Sequence, residues 1–243
     1  VAFKDLGLAV IDEQHRFGVR QRLALAAKGR GVDVLVMTAT PIPRTVAMSL
    51  FGDLDVATLR ESPPGRQNVH TYLATEDQRD QWWEFVRGKL QEGRQGYVIT
   101  PRVEESESPA LASVEEVYER LTNGPLEAFR VDLIHGRMSS ANKETAMDAF
   151  RRGETQVLVA TSVIEVGVDV PNATLMTIEG GERFGLAQLH QLRGRVRRGT
   201  FPGYVTVFAQ PATQAARDRL DALVRSTDGF ELAEIDFSLR GPG

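Results

Sequence analysis

From residue 69 to residue 160, short apolar runs alternate without a break with segments whose apolar residues recur at helical spacing, and two more runs flank a further such segment up to residue 208. Most of the runs at 69–73, 97–100, 131–134, 157–160, 174–178 and 204–208 are too uniformly apolar to keep one face in water, as buried parallel strands are. The segments between them carry stripes. Trp82, Phe85, Val86 and Leu90 fall at i, i+3, i+4 and i+8, and Val114, Val117, Tyr118 and Leu121 at i, i+3, i+4 and i+7. Further helices are predicted at 141–150 and 186–192. Parallel strands need a crossover, and a helix supplies it. The predicted fold class is therefore α/β, a doubly wound parallel sheet with helices on both faces and ligands at the carboxyl ends of the strands. Trp82 belongs to the core, with Trp83 expected as its partly covered neighbour rather than as part of a base-stacking platform.

Ahead of this block, the apolar run LGLAVI at 6–11 ends abruptly in Asp12 and Glu13, and VLVM at 34–37 ends in Thr38-Ala39-Thr40. Both are predicted to be buried parallel strands, with a helix at 44–51 started by Pro41 and Pro43. The turn-forming stretch ESPPGR at 61–66 is expected to be a linker. After Gln210-Pro211, a helix with Ala216, Leu220, Leu223 and Val224 on one face is predicted to run to about residue 226, and a second to follow Gly229. The expected organisation is a partial domain at 1–62, a complete one at 66–210 and a helical hairpin at 211–243, with both ends of the chain resembling cuts.

Apolar residues make up 42% and charged residues 26% of the 243, enough to build a core. No stretch approaches the roughly 18 consecutive apolar residues of a membrane span, and the amino terminus has no signal pattern, so a cytosolic protein is expected. With no cysteine, disulfides and thiolate metal sites are excluded. His15, His70, His135 and His190 lack metal-ligand spacing. The formal net charge of −4 gives no global attraction to nucleic acid, so contact with DNA would need local clusters. Arg193, Arg195, Arg197 and Arg198, with Arg183 upstream, form one, for which a solvated basic face is the bland reading.

Asp12-Glu13-Gln14-His15 sits where an open α/β sheet binds ligands. An adjacent Asp and Glu can there divide two tasks of phosphoryl transfer, one fixing Mg2+ through its water shell and the other orienting the attacking water. Arginines at 193–198 can stabilise the charge that builds on a transferring phosphoryl group.

Read in order, these segments resemble the RecA-like, two-lobed helicases and translocases of superfamily two, a P-loop NTPase helicase fold. Asp12 to His15 resembles the Walker B segment, and Thr38-Ala39-Thr40 the coupling motif. Val98-Ile99-Thr100-Pro101 and His135-Gly136 resemble nucleic-acid contacts of the second lobe, while Thr161 to Asp169 and Gln191 to Arg198 resemble its last two motifs. Within that superfamily, DEQHRFGVRQR at 12–22, MTATPIPRT at 37–45, TPRVEES at 100–106, ERFGLAQLHQLRGRV at 182–196, and TDGFELAE and LRGPG between 227 and 243 are most similar to the RecG family of branch-migration enzymes. A transcription-repair coupling translocase shares much of this wording, though TDGF and RGPG look more like RecG.

The resemblance implies an ATP-dependent helicase or translocase that uses Mg2+ and remodels double-stranded, branched DNA such as stalled forks and four-way junctions in repair and recombination. It further implies a bacterial cytoplasm, at the nucleoid, no membrane partner, and a single-strand-binding protein as a partner of the parent enzyme. By it, Asp12 holds Mg2+ through water and Glu13 activates water, with Gln191, Arg195 and Arg198 acting on the phosphates. Gly167 and Asp169 contact the nucleotide. His15, Thr38 and Thr40 couple nucleotide state to the other lobe, while Thr100, Arg102, His135, Gly136 and Thr161 line the DNA track. Arg240 lies in a segment resembling the family's translocation motif. Two departures stand out. No G-x-x-x-x-G-K-[ST] loop occurs in these residues, so this stretch alone is expected not to turn over ATP. Arg197 stands where the family's last motif usually has glycine. A non-catalytic DNA-binding or protein-docking module is the alternative from a different class.

Overall fold

The computed structural model describes residues 6–12, 32–38, 55, 57–59, 67–101, 114–161, 170–196 and 200–240. Contacts divide the chain into two compact units, Val1–Ile42 and Pro43–Gly243. The linker expected at 61–66 and the helix expected at 44–51 lie outside the described residues.

In the first unit, β1 (Leu8–Ile11) and β2 (Asp33–Val36) pair in parallel, with Ala9 opposite Val34. Their pairing is as read from the sequence; their burial is not. Ala9 and Ile11 are buried, but Leu8 and Val10 are more than half exposed, and Val34 and Leu35 of β2 are exposed as well. The pleat sends alternate side chains to opposite faces, and only one face of β1 is packed.

The second unit is built on six parallel strands: β3 (Val69–Ala74), β4 (Gln95–Thr100), β5 (Val131–Ile134), β6 (Val157–Thr161), β7 (Ala173–Ile178) and β8 (Gly203–Phe208), in the order β3-β8-β7-β4-β6-β5. The sheet is covered on both faces. On one, α1 (Arg79–Gln91) and α2 (Val114–Thr122) bring Trp82, Val86, Leu90, Val117 and Leu121 against Val98, Val159 and Leu175. On the other, α3 (Ser140–Arg151), α4 (Leu186–Arg195), α5 (Gln214–Arg225) and α6 (Gly229–Arg240) pack through Phe150, Leu189, Leu220 and Leu232 against Ile99, Leu158 and Met176. Neighbouring residues of β4 thus feed opposite layers, the two-residue period that makes both faces apolar. Where helices begin, side chains take up free backbone donors: Ser139 accepts from Asn142 N at 3.2 Å and Thr213 from Ala216 N at 3.2 Å.

Two expectations are corrected. Trp83 is more deeply buried than Trp82, at 3% against 8% exposure, and both tryptophans pack in the core layer that α1 and α2 form with the sheet. Trp82 is core as read, and its indole N–H donates to Thr177 Oγ1 at 2.8 Å. On α5, Val224 is exposed and Ala222 buried in its stead, so the packed stripe of Ala216, Leu220 and Leu223 is turned by part of a residue from the predicted one.

Candidate nucleotide and nucleic-acid site

Among the described residues, the carboxyl ends of the strands carry most of the site residues singled out by sequence. In the first unit, Asp12 follows β1, and Met37 N donates to Ile11 O at 2.7 Å, which extends the pairing and sets Thr38 just past the neighbouring strand end. Both side chains are exposed.

In the second unit, β4 and β6 pair so that their last residues, Thr100 and Thr161, lie opposite each other. Both side chains are buried, and neither hydroxyl has a hydrogen-bond partner among the described residues. A hydroxyl left so at a strand end has capacity to bind something else. β5 flanks β6 on its other side, so His135 and Gly136 come next along the same rim. His135 Nε2 is 3.6 Å from Glu115 Oε1, and Lys143 Nζ donates to Gly136 O at 2.9 Å. Four residues predicted to line one track are thus brought to three neighbouring strand ends.

The entry to α4 is shaped by two glycines. Gly180 takes a left-handed conformation at φ 61°, and a Cβ on Gly181 would stand 2.1 Å from Val207 Cγ1, so no other residue fits there without displacement. Leu186, Leu189 and Leu192 then anchor α4 in the core. Gln191 and Arg195, four residues apart, share one side of the helix and are part-buried.

Arg193 does not belong to a solvated basic face: it is 4% exposed. Its NH1 donates to Leu223 O at 2.7 Å and Ser226 O at 2.8 Å, and its NH2 lies 2.8 Å from His190 Nδ1. A cation set on the last carbonyls of α5 also meets the negative end of that helix's dipole. Arg183 is exposed, as the bland reading expects. Glu13, His15, Thr40, Arg102, Gly167, Asp169, Arg197 and Arg198 lie outside the described residues. Arg240 closes α6.

One group on the rim was not legible in the sequence. Arg79, the first residue of α1, donates from NH1 and NH2 to the two carboxylate oxygens of Glu179 at 2.6 and 2.9 Å, and from Nε and NH2 to Glu76. Its guanidinium stands 4.0 Å over the Phe208 ring, and Arg120 adds a 3.3 Å bond to Glu179. Burial acts to lower the Arg79 pKa, but the hydrogen bonds to Glu179 and Glu76 outweigh it and hold the group above its ordinary range. The Arg79 hydrogen bond likewise holds the Glu76 carboxyl below its ordinary value.

The RecG-like wording of the motifs is borne out over the whole chain. It is 53% identical along its full length to the ATP-dependent DNA helicase RecG of Synechocystis and 46% identical to that of Bacillus subtilis, covering 29% and 36% of those proteins. The chain therefore spans about a third of the length of the curated relatives it matches. Among solved structures it is similar to RecG bound to a three-way DNA junction, with a TM-score of 0.80 and 45% identity, covering 100% of this chain and 31% of that one. S. cerevisiae Dbp5 bound to RNA and ADP BeF3 shares the fold at a TM-score of 0.61 and 14% identity, covering 96% of this chain and 62% of that one. The six-stranded parallel sheet with helices on both faces is thus the RecA-like fold of helicase carboxy-terminal domains. The helicase conserved C-terminal domain family matches residues 78–200, and the chain belongs to that family.

Proposed function

We propose that the protein carrying this chain is an ATP-driven motor on double-stranded DNA that remodels branched junctions, working on the chromosome in the bacterial cytoplasm. The names of its relatives and the junction held by the solved RecG support this reading. Within the chain the observation that carries it is the tie from Arg193 on α4 to Leu223 and Ser226 at the end of α5. The helix that bears Gln191 and Arg195 is thereby fastened to the end of α5, the helix that precedes the one closing at Arg240.

Arg195, with Arg198, would stabilise charge developing on the transferred phosphoryl group, and Gln191 would fix its oxygens. Gly167 and Asp169 would contact the nucleotide. Asp12 offers an exposed carboxylate, the hard oxygen donor that Mg2+ takes through its water shell, so the residue fits that ion. When bound there, Mg2+ would offset the charge of the nucleotide phosphates. Glu13 would orient the attacking water; His15, Thr38 and Thr40 would relay nucleotide state. Thr100, Thr161, His135 and Gly136, with Arg102, would hold the DNA backbone, since neutral hydroxyl and amide donors grip phosphates without reading sequence. A displacement of α4 during turnover would pass through Arg193 into α5 and α6 and reach the DNA through Arg240. A single-strand-binding protein as partner belongs to the same proposal.

The test is DNA-stimulated ATP hydrolysis by a full-length protein containing this chain. Glu13→Gln and Arg195→Ala are each expected to lower kcat by about 10³-fold with DNA affinity little changed. Near wild-type turnover in either variant contradicts the assignment.

A further inference from the structure

We infer that Arg79, which lies outside every motif above, is a positioning residue for α4: by clamping Glu179 it fixes the turn that delivers Gln191 and Arg195. The inference rests on the proposed role of α4.

The clamp joins parts of the chain that no local interaction could hold. Arg79 opens α1, Glu76 precedes it just beyond β3, Phe208 ends β8, and Glu179 follows β7, so one guanidinium spans three neighbouring strand ends. The two bonds to Glu179 form a fork in a part-buried setting, with side-chain exposures of 16% for Arg79 and 12% for Glu179. A fork of this kind sets orientation as well as distance. The Phe208 ring behind the guanidinium leaves it little room to swing.

Glu179 is well placed to pass that constraint on. Its own N–H donates to Ile99 O at 2.8 Å, one residue before Thr100. Gly180 follows in a left-handed conformation, beside Pro101 just past the end of β4. Gly181, tight against Val207, and the short turn Gly181–Arg183 then lead directly into α4. Loosening Glu179 therefore frees both the route into α4 and the strand end that carries Thr100. A lysine cannot replace Arg79, because one ammonium cannot grip both oxygens of Glu179 in a planar fork while holding Glu76.

Two readouts test this. The first is amide hydrogen exchange on the 243-residue chain. Arg79→Lys and Arg79→Ala are expected to speed exchange at residues 179–184 and through α4 by about ten-fold, with β5 and α3 unchanged. Glu76→Gln, which leaves the Glu179 fork intact, should leave α4 as it is. The second is steady-state ATP hydrolysis in a full-length protein containing this chain, well below its unfolding temperature. Arg79→Lys is expected to lower kcat by about ten-fold, with KM for ATP and DNA affinity within about two-fold. Unchanged exchange in α4 overturns the inference whatever the ATPase does. Faster exchange with unaltered kcat overturns it too, reducing Arg79 to a brace of the fold. A wild-type protein that hydrolyses no ATP contradicts the motor reading instead, and the exchange data then decide by themselves whether Arg79 holds α4.

Discussion

Arg193 donates to the carbonyl of Ser226 at 2.8 Å, reaching from the last turn of one helix to the residue that follows the last turn of another. With the second bond to Leu223 O, one buried cation satisfies two carbonyls of the α5 terminus. Arg193→Met, similar in reach but without donors, leaves both unpaired. We expect a loss of about 3 kcal/mol, as for removal of hydrogen bonds to a charged group in the interior. A urea titration measures it, and a loss below about 1 kcal/mol contradicts the structural role.

Thr100 and Thr161 predict the opposite sign. Their hydroxyls are buried without partners among the described residues, so each folds against a desolvation cost. Thr100→Val or Thr161→Val keeps the shape and removes that cost. Stability should hold or rise by up to about 1 kcal/mol, while affinity for duplex DNA falls several-fold. Paired thermal melts and fluorescence anisotropy separate the two effects, and a valine variant that loses stability and binds normally would refute the placement.

Glycines divide by the space around them. Gly181→Ala forces a methyl to within 2.1 Å of Val207 Cγ1 and should cost about 3 kcal/mol. Gly88→Ala, on an exposed face of α1 with nothing within 4 Å, should stabilise by about 0.5–1 kcal/mol. Thermal denaturation of the two variants gives shifts of opposite direction.

Acid should weaken the Glu76 side of the Arg79 clamp. Glu76 has its carboxyl pKa lowered from 4.5 by the Arg79 hydrogen bond, so its contribution is present in full above the unfolded value. That contribution is lost as pH falls below about 4.5 and through the depressed folded value. Because the Glu76 side chain is 62% exposed, solvent screening limits it to well under about 1 kcal/mol. Glu76→Gln should therefore be slightly less stable than the wild type at pH 7 in urea titrations, and the difference should shrink as pH falls below about 4.5.

The sheet was legible because its inner strands, β4, β6, β7 and β8, are buried on both faces and its helices on one, while β3 at the edge leaves Tyr72 and Leu73 exposed. Tyr97 and Ile99 feed one layer and Val98 the other, and that uniform apolarity is what marked β4. Arg193 could have been placed as well: it falls seven residues after Leu186 and four after Leu189, on the buried side of α4. Its charge drew attention to the surface, although the helical period turned it inward. Arg79 and Glu179 were beyond reach, since they lie 100 residues apart and meet only because β8 separates β3 from β7 in the sheet. Neither carries a periodic signal. The exposed faces of β1 and β2 were missed because an apolar run reports a strand without reporting whether both its faces are covered.

The most direct test of the motor reading is ATP-dependent remodelling of a synthetic three-way DNA junction by a full-length protein containing this chain, measured beside its ATP hydrolysis. We predict junction unwinding that requires ATP, with Arg240→Ala keeping most of the hydrolysis and losing most of the unwinding. Unwinding that proceeds without ATP, or falls only in proportion to hydrolysis in Arg240→Ala, would contradict the account.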